Sequence, residues 1–149
     1  MLAKIASRRR RETETQWVRR CLTGMARMVT GWKLDPADRV RLLSLFPPRF
    51  ARTVADHVTL RFGTDGSTPL PIPASGEVIG EADDGAGVQA LVVRIGGTAD
   101  RGDGSHFHIT WSLGPGRRAK ESNDVIARLG WRPVDPPLPI HLQPTRWTV

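Results

Sequence analysis

The segment HFHITWSL, residues 106–113, alternates between polar and apolar side chains. Because successive side chains of a β-strand point to opposite faces, this alternation predicts a strand with one polar and one apolar face. The apolar face is bulky enough to be part of a core. The polar face carries His106, His108, Thr110 and Ser112. Such a face can be half of an active site, whose other half must come from elsewhere in the chain.

The rest of the chain predicts several further strands and few helices. Strand-like segments bounded by turn formers occur at residues 55–63, 76–82, 87–95 and 139–144. Helices are predicted at residues 11–29, 35–46 and 122–130. The middle helix is expected to begin at Asp35 and Pro36 and to bury Val40, Leu42, Leu43 and Leu45. Strands and helices do not alternate, which indicates an α+β fold with an antiparallel sheet.

The positive charge of the chain is concentrated near its N-terminus. The sequence has 22 Lys and Arg and 15 Asp and Glu, a formal net charge of +7. Residues 1–33 hold nine of the basic and two of the acidic residues, which predicts a basic, helical N-terminal extension (residues 1–33) and a domain (residues 34–149). A basic segment on a neutral body is typical of non-specific contact with RNA phosphates, although a solubilising tail has the same composition.

The sequence favours a cytoplasmic protein with no membrane partner. No run approaches the roughly 18 apolar residues that span a bilayer. The basic start is not followed by the apolar stretch and cleavage site of a secretory signal. The single cysteine, Cys21, cannot form an internal disulfide and does not suggest a thiolate metal site.

A second strand-like segment, DHVTLRF at residues 56–62, has the same pattern as residues 106–113. Its polar face carries His57, Thr59 and Arg61. Its apolar face carries Val58, Leu60 and Phe62. The polar face of this segment matches that of the first one: His57 corresponds to His108, Thr59 to Thr110, and Arg61 to Ser112. Two histidines therefore each precede a threonine by two residues on a predicted strand.

This pair of H-x-T-x motifs resembles the 2H phosphoesterases, a superfamily named for its two histidines. The segments FPPRFARTVADHVTLRFG and HFHITWSLGPGRRAKESND are similar to the compact 2H domains related to the cyclic phosphodiesterase part of fungal tRNA ligases. The resemblance covers roughly residues 45–145 and includes a basic loop followed by Ser122 and Asn123. It implies a two-lobed antiparallel sheet with flanking helices, in which the two motif strands lie side by side across a cleft.

The resemblance implies a phosphoesterase that needs no metal and no cofactor, with His57, Thr59, His108 and Thr110 as the catalytic residues. Hydrolysis of a phosphodiester needs one group to take a proton from water and another to give a proton to the leaving oxygen. A histidine can do either near neutral pH, and threonine hydroxyls can donate to the phosphate oxygens. The expected substrate is a 2′,3′-cyclic phosphate on an RNA end or a nucleotide. Which histidine is the acid stays open.

Five further residues are candidates for substrate binding: Arg61, Ser112, His106, Ser122 and Asn123. Three of them have a structural alternative. Arg61 could be a surface arginine, His106 a hydrogen-bonded structural histidine, and Ser122 a helix cap. His141 has no partner motif and is expected to be structural. Trp131 and Trp147 could belong to the core or stack on a base.

Three other functions remain open at this point. The same four residues could cleave 3′,5′-linked cyclic nucleotides or oligonucleotides instead. A metal site could be built from His106 and His108 with Asp100 or Asp103. A non-catalytic RNA-binding module could use the same polar face to contact phosphates, with affinity supplied by the basic extension.

Overall fold

The computed structural model describes residues 28–148, which form seven strands and two helices. The strands are β1 (Met28–Leu34), β2 (Arg52–Thr53), β3 (His57–Thr64), β4 (Ala74–Asp83), β5 (Val88–Ile95), β6 (His108–Leu113) and β7 (Arg132–Thr148). Helix α1 (Pro36–Leu45) connects β1 to β2, and helix α2 (Glu121–Leu129) connects β6 to β7. Most of the predicted helix at residues 11–29 lies outside the described residues.

The strands belong to one antiparallel sheet that closes on itself. The strand order is β2-β6-β3-β1-β7-β4-β5, and an additional pairing of β5 with β6 joins the two sides. Six strands therefore form a closed barrel, in which each strand has a partner on both sides. The short β2 pairs with the end of β6, where Arg52 lies opposite Leu113.

The antiparallel α+β class is confirmed, and the strands form this single closed sheet, whereas the two-lobed 2H arrangement stays a prediction. The motif strands β3 and β6 are direct neighbours in the closed sheet. Val58 of β3 and Ile109 of β6 pack in the same hydrophobic cluster, together with Leu91 of β5 and Ile140 of β7. The two motifs thus share one core.

Strand β5 separates two hydrophobic clusters. Leu91 and Val93 face the cluster that contains Trp111. Ala90 and Val92 face a second cluster, which is covered by residues of α2. A strand that is buried on both faces needs a nearly continuous apolar sequence, and residues 88–93 have one.

Helix α1 begins as the sequence predicts but buries fewer residues. The Asp35 side chain accepts hydrogen bonds from the Ala37 and Asp38 amides at 3.0 and 3.1 Å, and Pro36 opens the first turn. Leu42 is fully buried, whereas the expected core residues Val40 and Leu45 are 69% and 54% exposed. Residues two positions apart lie on nearly opposite sides of a helix, so Val40 cannot share the buried side of Leu42.

Strand β1 corrects two predictions. The sequence pattern places Met28 and Val29 at the end of a helix and residues up to 33 in the basic extension. Instead, β1 pairs with β3 on one side and with β7 on the other, and Val29 and Trp32 are buried. The β-branched pair Val29–Thr30 suits a strand better than a helix. The folded domain therefore includes residues 28–33.

Helix α2 lies within one residue of its predicted position, but Ser122 is not its N-cap. Lys120 holds that position without a side-chain hydrogen bond, and Ser122 is buried in the first turn. Gly130, with φ of 67°, ends the helix in a conformation that glycine adopts without strain. Among the described residues, no helix is both long and apolar enough to cross a bilayer.

Candidate active site

The two motif strands run antiparallel, side by side. Val58 of β3 is the partner of Ile109 of β6. Because side chains alternate along a strand, His57 and Thr59 of β3 and His108 and Thr110 of β6 lie on the face opposite Val58 and Ile109. The two motifs therefore share one face of the sheet.

The four predicted catalytic residues line one cleft with a volume of about 190 Å³. The walls come from β3, β6, the end of β7, the β5–β6 loop and the start of α2. The lining residues are His57, Thr59, Phe62, Arg101, His108, Thr110, Ala119, Lys120, Asn123, Trp147 and Thr148. The cleft therefore gathers the whole predicted catalytic set and one of the five predicted substrate-binding residues, Asn123.

The His57 ring is held by a carboxylate and an indole. Its Nδ1 lies 3.1 Å from Asp56 Oδ2, and because a carboxylate only accepts, Nδ1 carries a proton. The ring centroid of Trp147 is 4.4 Å from that of His57. Partial burial tends to raise the pKa of Asp56, but hydrogen bonds from His57 and Lys33 outweigh burial and hold that pKa below its ordinary value. Asp56 therefore presents a negative charge to the ring.

The His108 ring has a different environment. His108 is 9% exposed, and its Nδ1 donates to the carbonyl oxygen of His106 at 2.9 Å. Burial, reinforced by the positive charge of Arg101, lowers the pKa of His108 to about 4, although the hydrogen bond to His106 acts in the opposite direction. His108 is therefore neutral at pH 7, with a lone pair on Nε2 that can accept a proton.

Ser122 supports Thr110 from behind the cleft. The two hydroxyl oxygens are 2.9 Å apart in a buried contact, and Thr110 Oγ1 also lies 3.3 Å from the Ala119 carbonyl oxygen. Each hydroxyl has one proton to donate. When Ser122 donates to Thr110, the Thr110 proton is left for the Ala119 carbonyl or for a ligand in the cleft.

Besides Ser122, three of the predicted substrate-binding residues do not line the cleft. Arg61 is exposed outside it. Ser112 is fully buried and donates to Gln89 Oε1 at 2.6 Å. The His106 ring packs edge-on against Trp131, with centroids 5.1 Å apart, so only the His106 backbone contributes to the site. Arg61 is thus a surface arginine, Ser112 and His106 have structural contacts, and the His106 contact is aromatic packing rather than the expected hydrogen bond.

His141 and Trp131 also have structural contacts. His141 Nδ1 lies 3.0 Å from Asp38 Oδ2, outside the cleft. Trp131 covers Gly80, where an added Cβ would meet the indole at 1.9 Å. Of the two tryptophans that could stack on a base, Trp147 alone lines the cleft.

A β-bulge in β3 brings Phe62 into the cleft and removes Arg61 from it. Thr30 pairs with Arg61 and Gly31 with Thr59, so one step along β1 corresponds to two steps along β3. An extra residue in one strand reverses the alternation of side chains beyond it. A strict alternation of side chains along β3 would place Arg61 in the cleft and Phe62 on the opposite face, and both assignments are wrong.

Arg101 and Lys120 are further cleft residues that the sequence did not single out. Arg101 belongs to the turn-forming segment GGTADRGDG, in which nothing local distinguishes it from other loop arginines. Its position depends on how the β5–β6 loop folds back on itself, through the isolated bridge between Asp100 and His106. Lys120 lies in the basic loop before α2. The basic character of this loop is the sequence signal from which Lys120 could have been predicted as a site residue.

The metal-site alternative finds no geometric support. Within residues 28–148, no three His, Cys, Asp or Glu side chains are grouped so that they could hold a metal ion. Asp100 Oδ1 accepts from the Gly102 amide at 2.8 Å, and Asp103 Oδ1 accepts from the Ser105 amide at 3.0 Å. Both candidate carboxylates are thus engaged within their own loop.

The resemblance to the 2H phosphoesterases depends on the two H-x-T-x motifs, and the cleft gathers the four residues at their centre. Membership of that superfamily is a prediction from these residues alone, because no family model matches the chain, and no curated protein or solved structure matches it either.

Proposed function

We propose that the protein is a metal-independent phosphoesterase that hydrolyses a 2′,3′-cyclic phosphate, on an RNA end or a nucleotide, by acid–base catalysis. The observation that carries this proposal is the convergence of His57, Thr59, His108 and Thr110 on one cleft from two neighbouring strands. A surface that only binds phosphates has no need of a proton donor and a proton acceptor. The two histidines therefore favour an enzyme over a binding module.

The surroundings of the two rings favour different roles. Neutral His108 can take a proton from water at Nε2. The His57 ring then has the other role, that of giving a proton to the leaving oxygen, and its hydrogen bond to Asp56 orients it. The water oxygen then bonds to phosphorus while the bond from phosphorus to O2′ or O3′ breaks. The departing oxygen takes the proton of His57, and a phosphomonoester remains.

The polar groups around the histidines fit a phosphate ester. The hydroxyls of Thr59 and Thr110 can donate to the phosphate oxygens as negative charge develops on them. Ser122, when it donates to Thr110, leaves the Thr110 proton free for this purpose. Asn123 Oδ1 is buried and has no hydrogen-bond partner among the described residues. A hydroxyl of the substrate would satisfy this acceptor, since a buried unpaired acceptor is costly.

Product analysis by chromatography in EDTA tests the proposal. The panel holds the four 2′,3′-cyclic mononucleotides, an RNA that ends in a cyclic phosphate, and several 3′,5′-cyclic di- and trinucleotides. We expect wild type to open the 2′,3′-cyclic substrates, and His57→Ala and His108→Ala to be slower by at least roughly 100-fold. His141→Ala is the matched control, because the His141 side chain is 70% exposed and contacts Asp38 outside the cleft.

The outcomes separate the alternatives. Turnover of the 3′,5′-linked compounds alone would keep the catalytic residues and change the substrate to a cyclic nucleotide or oligonucleotide. Absence of turnover across the panel, or turnover that survives both histidine substitutions, would contradict the proposal. RNA affinity that is unchanged in both inactive variants would then favour the non-catalytic module.

A further inference from the structure

We propose that Arg101 binds the phosphate group of the substrate; this inference deepens the proposed function and rests on it. Arg101 lines the same cleft as the four catalytic residues, although it comes from the β5–β6 loop. Its side chain is only 4% exposed. A guanidinium with so little access to water needs negative charge and hydrogen-bond acceptors around it.

Asp103 satisfies one side of the guanidinium. Arg101 donates from Nε to Asp103 Oδ1 at 3.4 Å, and its Nη2 lies 3.2 Å from Asp103 Oδ2. The Asp103 side chain is itself 56% exposed, so water weakens its charge. Arg101 Nη1 makes none of the hydrogen bonds found among residues 28–148. These free N–H groups match the planar, two-pronged geometry by which arginine binds phosphate.

The loop holds Arg101 in position without a ligand. The Arg101 amide donates to the Ser105 carbonyl at 3.0 Å, and the bridge between Asp100 and His106 closes the loop. The Phe62 ring covers the guanidinium, with its centroid 5.6 Å from Arg101 Cζ. Because these contacts already fix the side chain, little ordering is needed when a phosphate binds.

The charges around the cleft also point to Arg101. His108 is neutral at pH 7, and the threonines are uncharged. Asp56, which contacts His57 Nδ1 at 3.1 Å, adds a negative charge beside the cleft. Among the described residues that line the cleft, Lys120 is the other basic side chain, and it is exposed to water at the rim. Arg101 therefore supplies the buried positive charge that a phosphate anion requires.

The test measures phosphate binding separately from turnover. The imidazole signals of His57 and His108 are followed by ¹H–¹⁵N NMR while inorganic phosphate is added to wild type, Arg101→Gln and Arg94→Gln. Arg94 is the matched control, because it also pairs with a carboxylate, Glu77 at 3.1 Å, and does not line the cleft. We expect phosphate to shift both signals in wild type and in Arg94→Gln but not in Arg101→Gln.

In parallel, Arg101→Gln should lower kcat/KM for a 2′,3′-cyclic nucleotide by roughly 100-fold or more. Arg101→Lys should restore part of this loss, and Arg94→Gln should show none of it. If circular dichroism shows that Arg101→Gln is unfolded, Arg101→Met takes its place, since it keeps much of the buried apolar volume.

Phosphate-induced shifts that persist without the guanidinium would overturn the inference, as would undiminished turnover. If wild type binds phosphate through Arg101 but cleaves nothing, the proposed function fails and the phosphate site stands. If wild type neither binds phosphate nor cleaves, both fail.

Discussion

His57 and His108 carry the same ring but contact different acceptors through Nδ1. A carboxylate of Asp56 faces His57, whereas the neutral carbonyl of His106 faces His108. The H-x-T pattern is the same at both positions, so the sequence left the two roles open, and the difference between them comes from neighbouring groups. A general base works only when it is unprotonated, so its pKa sets the acidic limit of activity.

We expect kcat/KM for a 2′,3′-cyclic nucleotide to rise with pH along a limb centred near the His108 pKa of about 4, well below the ordinary histidine value of 6.5. A bound phosphate adds negative charge, which favours the protonated ring, so the corresponding limb of kcat should lie at higher pH. Initial rates measured from about pH 3 to pH 8 check both limbs. A kcat/KM limb at or above the value for an unperturbed histidine would show that His108 is not the base, and His141→Ala should leave both limbs in place.

The bulge of β3 and the glycine opposite it act as one structural unit. A Cβ added to Gly31 of β1 would lie 2.1 Å from the Val58 carbonyl oxygen and 3.0 Å from the Trp147 ring. Glycine is therefore required for the close approach of the two strands. The same approach positions His57 and Thr59, which follow the backbone of β3, and Trp147, which packs on His57.

Gly31→Ala should push β1 and β3 apart. We expect a loss of roughly 1–3 kcal/mol in the free energy of unfolding, the usual range for overpacking. It should be accompanied by lower kcat/KM, because His57 and Thr59 move with their strand. Urea denaturation and steady-state kinetics measure the two effects. Gly66→Ala is the control, since nothing lies within 4 Å of a Cβ at Gly66. Equal stability of the two variants would contradict the role given to Gly31.

Regular alternation explains which site residues the sequence could predict. His57 and Thr59 lie before the bulge of β3, so a period of two assigns them correctly, and the same holds for His108 and Thr110 of β6. Beyond the bulge the alternation reverses, and Phe62 was missed. Arg101 was missed because its position depends on the fold of a loop. The first two residues of β1, Met28 and Val29, were assigned to a helix because strand formation there depends on partners far away in the sequence.

Strand β1 extends the folded domain beyond the predicted boundary at residue 34. It joins β3 to β7 and so closes the barrel. Lys33, which the charge pattern assigned to the basic extension, donates to Asp56 beside the candidate active site at 3.1 Å. Residues 1–27 still carry eight of the 22 Lys and Arg and two of the 15 Asp and Glu. The predicted contact with RNA therefore needs to be tested by a truncation that spares β1.

A variant that lacks residues 1–27 should still unfold cooperatively in urea and keep the turnover of the full chain, whereas removal of residues 1–34 should abolish both. If the basic residues bind RNA phosphates, the shorter truncation should also flatten the dependence of log K on log salt, by roughly 0.7 for each phosphate that is no longer neutralised. Fluorescence anisotropy at several salt concentrations measures the slope. An unchanged slope would leave residues 1–27 without a role in RNA binding, and a folded, active chain without β1 would contradict its role in closing the barrel.

Two antiparallel strands with the same H-x-T pattern are related by a local two-fold axis near the pair of Val58 and Ile109. A cyclic phosphate rotated by half a turn about this axis would again meet one histidine and one threonine on each side. The four catalytic residues alone would therefore not choose between O2′ and O3′ as the leaving atom. That choice belongs to the groups that break the symmetry, Asp56 beside one histidine and Arg101 near the other. The regiochemistry of cleavage would then be able to change by substitutions around an unaltered catalytic set.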